Sequence, residues 1–270
     1  MKYSNISFEL IETLSFPDVN CNSCKKSGDI YYFATQQLDN TIDAKKTNAG
    51  LVIVNDREVE KTLFDKEIET KGSFFSPNIE SFTKNNLNEL FLSIMYDNTF
   101  YRLEAGEANP VLAIDFGKNG MDNSIGLKPV EKQMEYIQNL DGLASFPVLN
   151  INNSEILAFS YYFKQDEKKR MYREEDFRQY IKIKQDGKVY HVKKIKNDLT
   201  NFPSYIYISS YFFNCAHEVW YEDYLVDVVL PNYYFSGDET MTIYVYGIGE
   251  VTAYDDPIVI MMKLKKTNIE

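Results

Sequence analysis

The stretch ELFLSIMYDNTFYRLEAGEANPVLAIDFG, residues 89–117, decides the fold class. It contains short runs of apolar and aromatic residues, and Asp97-Asn98 separates the first run from the second. Such runs between Asp, Asn and Gly residues are typical of antiparallel strands joined by tight turns. The stretch therefore predicts a meander of short β-strands.

The same order of strand, turn, strand and closing strand occurs elsewhere in the chain. It repeats in residues 30–65, 155–198 and 205–266, so that four units cover nearly the whole sequence. Repeats of this kind mark propellers and solenoids, because each meander must cover its hydrophobic faces with its neighbours. A β-sandwich also has short strands, but it does not repeat one order of strands four times. The sequence predicts an all-β propeller with about four blades of four-stranded antiparallel sheets, in a single domain over residues 1–270.

Two segments depart from the strand pattern. A connecting helix between two blades is predicted at Pro129 to Leu140. The segment has Pro at an opening position and apolar residues that can share one helix face. Gln165 to Asp176 is strongly charged, and we interpret it as a solvated hairpin loop.

The composition of the chain excludes several classes of function. Aromatic residues make up 15% of the sequence, which favours strands over helices. The formal net charge of -11 excludes a nucleic-acid surface, because binding to phosphates needs basic patches. The sequence has no apolar run long enough to span a membrane, and its first residues lack the basic and apolar regions of a secretory signal.

Cysteine and histidine offer two candidate reactive sites. Cys21 and Cys24 have zinc-knuckle spacing, but structural zinc takes four ligands and no second pair follows. We interpret them as a loop pair that is either free or disulfide-linked. Cys215 and His217 would share one face of a strand without necessarily facing a cleft, and His191 lies in the strand VYHVKKI as an ordinary strand residue.

Carboxylates are the remaining candidates for chemistry. Some six-bladed propellers hydrolyse esters with a calcium ion held by Asp, Asn and Glu in the central channel. Asp115, Asp198 and Asp223 lie near strand ends, where turn formation or capping is the simpler role. Gly247-Ile248-Gly249 lacks the third glycine and the βαβ context of a dinucleotide site. The sequence therefore assigns no catalytic residue, metal ligand or cofactor, and a channel-sited metal-dependent hydrolase or lyase stays the alternative function.

The most suggestive cluster is aromatic and lies in the last quarter of the chain. Its members are Tyr205, Tyr207, Tyr211, Phe212, Phe213, Trp220, Tyr221, Tyr224, Tyr233 and Tyr234. Aromatic faces beside acidic groups hold sugar rings and peptides, although packing between blades also needs large side chains. The candidate ligand-binding residues are Trp220, Tyr221, Glu222 and Tyr224. The favoured function is a binding or scaffold module for an unknown carbohydrate, peptide or protein partner.

Trp220 is the only Trp of the chain and has Glu218 and Glu222 near it in sequence. If its side chain is buried between blades, Trp220→Ala should lower the stability by about 3–5 kcal/mol. If it contacts a ligand, the same change should leave the melting temperature nearly unmoved and weaken binding by about 1 kcal/mol or more. A thermal melt of Trp220→Ala separates the two roles, and a large destabilisation would contradict the binding role.

Several segments, in order along the chain, carry a resemblance to a known family. FSPNIESF at Phe75 to Phe82, NELFLSIMYDNTFYRL at Asn88 to Leu103 and NPVLAIDFGKN at Asn109 to Asn119 resemble its blade pattern. The family is the NHL-like, six-bladed β-propeller family of uncharacterised Bacteroidota proteins. DDPIVIMMKLKK at Asp255 to Lys266 resembles the family's closing strand, except that Asp256 stands where the family more often has Asn.

The resemblance, which spans about residues 7 to 266, implies a ring of six blades, whereas about four can be counted. It therefore implies an N-terminal truncation that removed two blades. It also implies a lipoprotein-type export signal in the missing part, which would place the protein in the periplasm or on the outer surface. The length of the chain also permits a complete four- or five-bladed ring, and without an export signal the protein would be cytoplasmic.

Overall fold

The computed structural model describes most of residues 17–193 and shorter parts on either side. The described residues are 2–3, 10–12, 17–35, 38–65, 81–139, 142–164, 177–193, 195–196, 205–206, 220–221, 224–229, 231 and 242–263. The predicted charged loop at Gln165 to Asp176 lies outside them, as do Cys215, His217, Asp198 and Asp223.

Short β-strands dominate this part of the chain. The strands are β1 (Lys2–Tyr3), β2 (Leu10–Glu12), β3 (Ser23–Ser27), β4 (Ile30–Ala34), β5 (Asn40–Ile42), β6 (Lys45–Thr47), β7 (Leu51–Asn55), β8 (Glu58–Leu63), β9 (Phe82–Lys84), β10 (Leu90–Ser93), β11 (Thr99–Glu104), β12 (Glu107–Ala113), β13 (Leu143–Asn152), β14 (Ile156–Lys164), β15 (Phe177–Ile183), β16 (Val189–Val192), β17 (Ile195–Lys196), β18 (Tyr205–Ile206), β19 (Trp220–Tyr221), β20 (Tyr224–Val229), β21 (Thr242–Val245), β22 (Gly249–Thr252) and β23 (Ile258–Lys263). Two 3-10 helices (Gly117–Asn119 and Asn123–Leu127) and the helix α1 (Val130–Asn139) lie between β12 and β13.

Three sheets have the four-stranded meander of a propeller blade. The first blade is β3-β4-β7-β8, the second is β9-β10-β11-β12 and the third is β13-β14-β15-β16. A three-stranded sheet, β19-β20-β23, is called the last sheet below. Every pairing between the named strands is antiparallel. The all-β class and the four-stranded blades predicted from the sequence are confirmed.

The local features predicted from single residues are confirmed as well. Helix α1 begins directly after Pro129, which is suited to the start of a helix. Asp97 forms the β10–β11 turn by accepting a hydrogen bond from the Thr99 amide at 2.8 Å. Asp186 does the same for the Lys188 amide at 3.0 Å, and Gly187 supplies the positive φ of that turn.

The sequence repeat misses the first strand of each blade, because the units begin at the second strand. β3, with the sequence SCKKS, is polar and carries none of the aromatic signal, so Cys24 lies in a strand and not in a loop as predicted. β13 contains Pro147, which speaks against a strand in the sequence. The structure accommodates it in a bulge, where the pairing register shifts and Phe146 has a φ of 52°.

Strand boundaries near proline and turns also differ from the prediction. The strand predicted at Val111 to Phe116 is β12, which begins earlier and ends at Ala113. Pro110 is tolerated in it because β12 is the outer strand of its blade, where a missing amide donor costs no pairing. The strand predicted at Val189 to Ile195 ends at Val192.

Two sheets carry an extra hairpin at the same position. Hairpin β5-β6 is inserted between β4 and β7 of the first blade, which still pair directly. Hairpin β21-β22 is inserted between β20 and β23 of the last sheet, which also pair directly. In a meander, the connection between the second and third strands lies at the end from which the chain leaves for the next blade. Hairpin β5-β6 therefore extends from that end of the first blade.

The hydrophobic core consists of layers between adjacent blades. Tyr32 and Ile53 of the first blade pack with Leu92 and Leu103 of the second. The amide of Gly106 also donates to the Tyr32 hydroxyl across this layer at 3.0 Å. Large apolar side chains thus pack one blade against the next, as propeller architecture requires.

A second layer joins the second blade to the third. Phe91 and Phe100 pack with Leu149 and Phe159, and all four are buried. A buried hydrogen bond reinforces the layer, because the Leu149 amide donates to the Ser93 side-chain hydroxyl at 3.0 Å. The second and third blades are therefore joined by one shared apolar layer.

Candidate ligand-binding surfaces

The predicted aromatic site lies on the last sheet. Trp220 pairs with Leu225, and Tyr221 pairs with Tyr224, so that β19 and β20 form a hairpin. The pairing brings the backbones of the three predicted aromatic residues together. Glu222 lies outside the described residues, and so do Tyr207, Tyr211, Phe212, Phe213, Tyr233 and Tyr234 of the predicted cluster. The ligand-binding role of Trp220, Tyr221, Glu222 and Tyr224 stays a prediction.

Hairpin β21-β22 is a separate two-stranded sheet, inserted in the chain between β20 and β23 of the last sheet, and it has two distinct faces. Val245 and Val251 of its inner face pack on Ile258 and Ile260 of β23, and all four are buried. The alternation of side chains along a strand then places Tyr244 on the outer face. Because the inner face is buried, the face that carries Tyr244 points to solvent.

The outer face of this hairpin presents an exposed aromatic pair. Tyr244 is 61% exposed and Tyr246 is 62% exposed. Their rings meet edge to face, with 6.5 Å between the centroids and 89° between the planes. Glu250 is the cross-strand partner of Tyr244 and is exposed, so its carboxylate shares the outer face with the pair. We call Tyr244, Tyr246 and Glu250 the tyrosine platform.

The turn after β22 holds a second carboxylate in place near the hairpin. Asp255 accepts hydrogen bonds from the Thr252 amide at 2.6 Å and from the Thr252 hydroxyl at 2.9 Å. These hydrogen bonds hold the pKa of Asp255 below its usual value. Asp255 is therefore ionised at neutral pH and keeps the turn in one conformation.

The aromatic cluster predicted from the sequence lies upstream of this platform and ends at Tyr234. A signal was present in TIYVYGIGE, residues 242–250, where apolar residues alternate with Tyr244 and Tyr246 before a glycine turn. Gly247-Ile248-Gly249 forms the turn of the hairpin, with a φ of 78° at Gly247 and 112° at Gly249. Both glycines therefore allow the positive φ angles that this turn needs.

The other described candidates have structural roles. Cys21 and Cys24 are free thiols, and desolvation raises the pKa of both, to about 11 for Cys24. Both thiols are therefore protonated at neutral pH. Asp115 accepts a hydrogen bond from the Gly117 amide at 2.7 Å, as expected of a turn residue. His191 lies in β16 and packs edge to face on Tyr180 at 5.2 Å.

Neither a metal cluster nor a membrane helix is found in the described part of the chain. No three His, Cys, Asp or Glu side chains among these residues lie close enough together to hold a metal ion. No helix within the same residues has the length and apolar character needed to cross a membrane.

Comparison with known proteins identifies the architecture. Residues 1–211 match the DUF5128 family, whose members are described as 6-bladed beta-propellers. The solved structure of a Bacteroides fragilis protein, provisionally described as exported, is similar, with a TM-score of 0.59 and 13% sequence identity. The similarity covers 98% of this chain and 70% of that chain. No curated protein sequence matches the chain. The predicted β-propeller class and the resemblance to a six-bladed propeller family are confirmed.

Proposed function

Because the chain belongs to the 6-bladed beta-propeller family, we propose that it is a non-catalytic binding propeller that holds a glycan on its tyrosine platform. The single observation that carries the proposal is the exposed, edge-to-face pair of Tyr244 and Tyr246 beside Glu250. In this proposal residues 1–270 act as one propeller domain, with the platform at the hairpin-bearing end of the last sheet.

The chemistry of the platform suits a sugar ring. A flat aromatic face stacks on the apolar C–H side of a pyranose, while a carboxylate accepts hydrogen bonds from the ring hydroxyls. Tyr244 and Tyr246 supply two faces at right angles, and Glu250 supplies the acceptor. The buried inner face of the hairpin holds the platform in place before binding, which lowers the conformational entropy lost when a ligand binds.

The predicted Trp220 site is a separate candidate contact in this proposal. Trp220, Tyr221 and Tyr224 lie on the β19-β20 hairpin, at the start of β20. The platform hairpin leaves the sheet from the other end of β20, where Val229 pairs with Ile258. A peptide or protein partner is the other ligand class that aromatic surfaces of this kind serve.

We place the protein at the cell envelope, in the periplasm or on the outer surface. The support is the similarity to the Bacteroides fragilis protein that is provisionally described as exported. Surface polysaccharides are available in that compartment as ligands for the platform.

The alternative function, a channel-sited metal-dependent hydrolase or lyase, would need carboxylates from several blades to converge on a metal. Asp115, the described member of the predicted carboxylates, instead closes a turn. Binding is therefore the favoured function.

Replacing Tyr244 with alanine tests the proposal. We expect Tyr244→Ala to weaken glycan binding at least tenfold, about 1.4 kcal/mol, because it removes one stacking face. The melting temperature should hardly change, because the side chain is 61% exposed. A glycan microarray identifies the glycans that the wild-type protein binds, and titration calorimetry then gives the affinity of each variant.

Tyr190→Ala is the matched control. Tyr190 is also an exposed tyrosine on a strand, 47% exposed on β16 of the third blade, but it lies outside the platform. Its removal should leave the affinity within twofold of the wild-type value. The proposal fails if the wild-type protein binds no glycan on the array, or if Tyr244→Ala and Tyr190→Ala weaken binding equally.

A further inference from the structure

We propose a second binding site, in which an extended segment of a partner protein adds as a β-strand between β6 and β8 at the outer edge of the first blade. The site is a cleft of about 850 Å³ between hairpin β5-β6 and the outer strand β8. We call it the edge slot. It lies on a different sheet from the tyrosine platform and does not depend on the glycan proposal.

The residues that line the edge slot show that it runs along strand edges. Val59, Glu60, Lys61 and Thr62 line one wall, and Lys45, Lys46, Thr47 and Asn48 line the other. Consecutive residues of a strand point to opposite faces of the sheet. A cleft that contacts four consecutive residues must therefore follow the edge of the strand, where the backbone N–H and C=O groups lie.

Both edges are available for pairing within the described structure. β8 is the terminal strand of the first blade and pairs with β7 on one side. β6 pairs with β5 on one side. A strand placed in the slot can therefore form backbone hydrogen bonds with the free edge of either wall, which is the basis of recognition by strand addition.

The base of the hairpin is fixed to the first blade, so the slot exists before any ligand arrives. The Thr35 hydroxyl donates to the Ala49 carbonyl, and the Thr35 amide donates to the Gly50 carbonyl at 3.1 Å. The buried Asn40 side chain donates to the Asn20 carbonyl at 3.0 Å and accepts from the Asn20 amide at 2.7 Å. These hydrogen bonds hold both ends of the inserted segment.

The far part of the hairpin and one end of the slot are held as well. Ile42 packs on Phe33 and Val52 of the first blade, next to Val59. At the end of the slot, Asp65 accepts hydrogen bonds from the hydroxyls of Thr47 and Thr62, one from each wall. Asp65 therefore ties the two walls together at that end of the slot before any ligand arrives, which lowers the entropy cost of binding.

The chemistry of the walls favours a polypeptide over a single charged group. β8 has six residues, a length of about 20 Å for an extended chain. The walls carry both Lys45 and Lys46 and the acidic residues Asp43 and Glu60. A small anion or cation would meet charges of both signs, whereas a peptide backbone is neutral and satisfies the strand edges directly.

Lysine residues on an edge strand can also serve to prevent pairing with other chains. In that case the slot would accept no strand. The experiment must therefore separate backbone recognition from the absence of binding and from attraction by side chains.

The test is a selection from a phage-displayed library of random decapeptides on the folded 270-residue chain, with counter-selection on Lys46→Trp. Lys46 is exposed and lines the slot, so an indole there fills the slot at little cost to the fold. Lys118→Trp is the matched control, because Lys118 is an exposed lysine on the connector between the second and third blades. Selected peptides are then synthesised, both unmodified and with alternate backbone amides N-methylated.

We expect selected peptides that bind wild-type protein and Lys118→Trp equally and bind Lys46→Trp at least tenfold more weakly. N-methylation should weaken binding to wild-type protein by a similar factor, because it removes the donors that pair with the strand edges. The proposal is overturned if no peptide is enriched, or if the selected peptides bind Lys46→Trp as well as wild-type protein. It is also overturned if N-methylated peptides keep their affinity, since recognition would then rest on side chains.

Discussion

Replacing Phe100 with alanine is expected to lower the free energy of unfolding by about 3–5 kcal/mol, the cost of removing a large aromatic side chain from a packed core. Phe100 is fully buried in the layer between the second and third blades. Its ring lies 5.9 Å from that of Phe159, and Phe91 and Leu149 complete its surroundings. The four side chains come from two sheets, so neither blade can close the cavity alone.

Denaturant unfolding followed by circular dichroism measures this cost. Val111→Ala is the matched control, because Val111 lies on the neighbouring strand β12 and is 43% exposed. Its removal should change the free energy of unfolding by less than about 0.5 kcal/mol. Equal effects of the two substitutions would show that the layer between the second and third blades does not carry the stability assigned to it.

The second large effect is expected from Gly126→Ala, which should cost about 1–3 kcal/mol through overpacking. Gly126 is buried in the second 3-10 helix, and a Cβ atom there would lie 2.6 Å from Cγ of Tyr96. The ring of Tyr96 cannot move away easily, because it packs edge to face on Phe146 with 5.2 Å between centroids. Its hydroxyl also donates to the buried Gln133.

A double variant shows whether the clash with Tyr96 causes the loss. Tyr96→Ala removes Cγ and Cδ2, the two atoms that the new methyl group would meet most closely, and leaves only Cβ of that residue. In that background we expect Gly126→Ala to lower the free energy of unfolding by less than about 0.5 kcal/mol. Thermal or denaturant unfolding of the wild type, the two single variants and the double variant measures this coupling. If the cost of Gly126→Ala were the same in both backgrounds, the close approach of Tyr96 would not explain it. Ser124→Ala in the same 3-10 helix controls for a general loss of local structure.

Tyr96 also explains why the connector between blades is ordered. Burial raises the pKa of Tyr96, so its hydroxyl stays protonated and can donate to Gln133 of α1. Gln133 in turn donates to the Lys128 carbonyl at 2.7 Å. A side chain from the second blade thus fixes the start of the helix that leads to the third.

Local patterns in the sequence determined much of the fold. The turn at Asp97-Asn98, the turn at Asp186-Gly187 and the helix after Pro129 depend on residues adjacent in the chain. The strands β4, β7, β11 and β14 follow from runs of apolar and aromatic residues for the same reason. Their repetition sufficed to predict blades, because a meander with two apolar faces has to stack on others.

The first strand of each blade could not be found in this way. β3 is polar, β9 has only three residues, and β13 becomes a strand only because a bulge takes up Phe146 and Pro147. Pairing with the second strand of the blade stabilises these strands, and the residues of the first strand alone do not reveal that pairing. The layer between β10 and β13, with Ser93 bound to the Leu149 amide, likewise joins residues far apart in the chain.

The candidate sites divide along the same line. The sequence by itself determined the residue types, namely aromatic residues near acidic ones in the C-terminal part of the chain, and with them the class of ligand to consider. Only the tertiary structure decided which tyrosines face solvent, because Val245 and Val251 bury one side of the hairpin and leave Tyr244 on the other. The edge slot belongs wholly to tertiary structure, since its walls, β6 and β8, are polar strands that come together only when the inserted hairpin packs on the first blade.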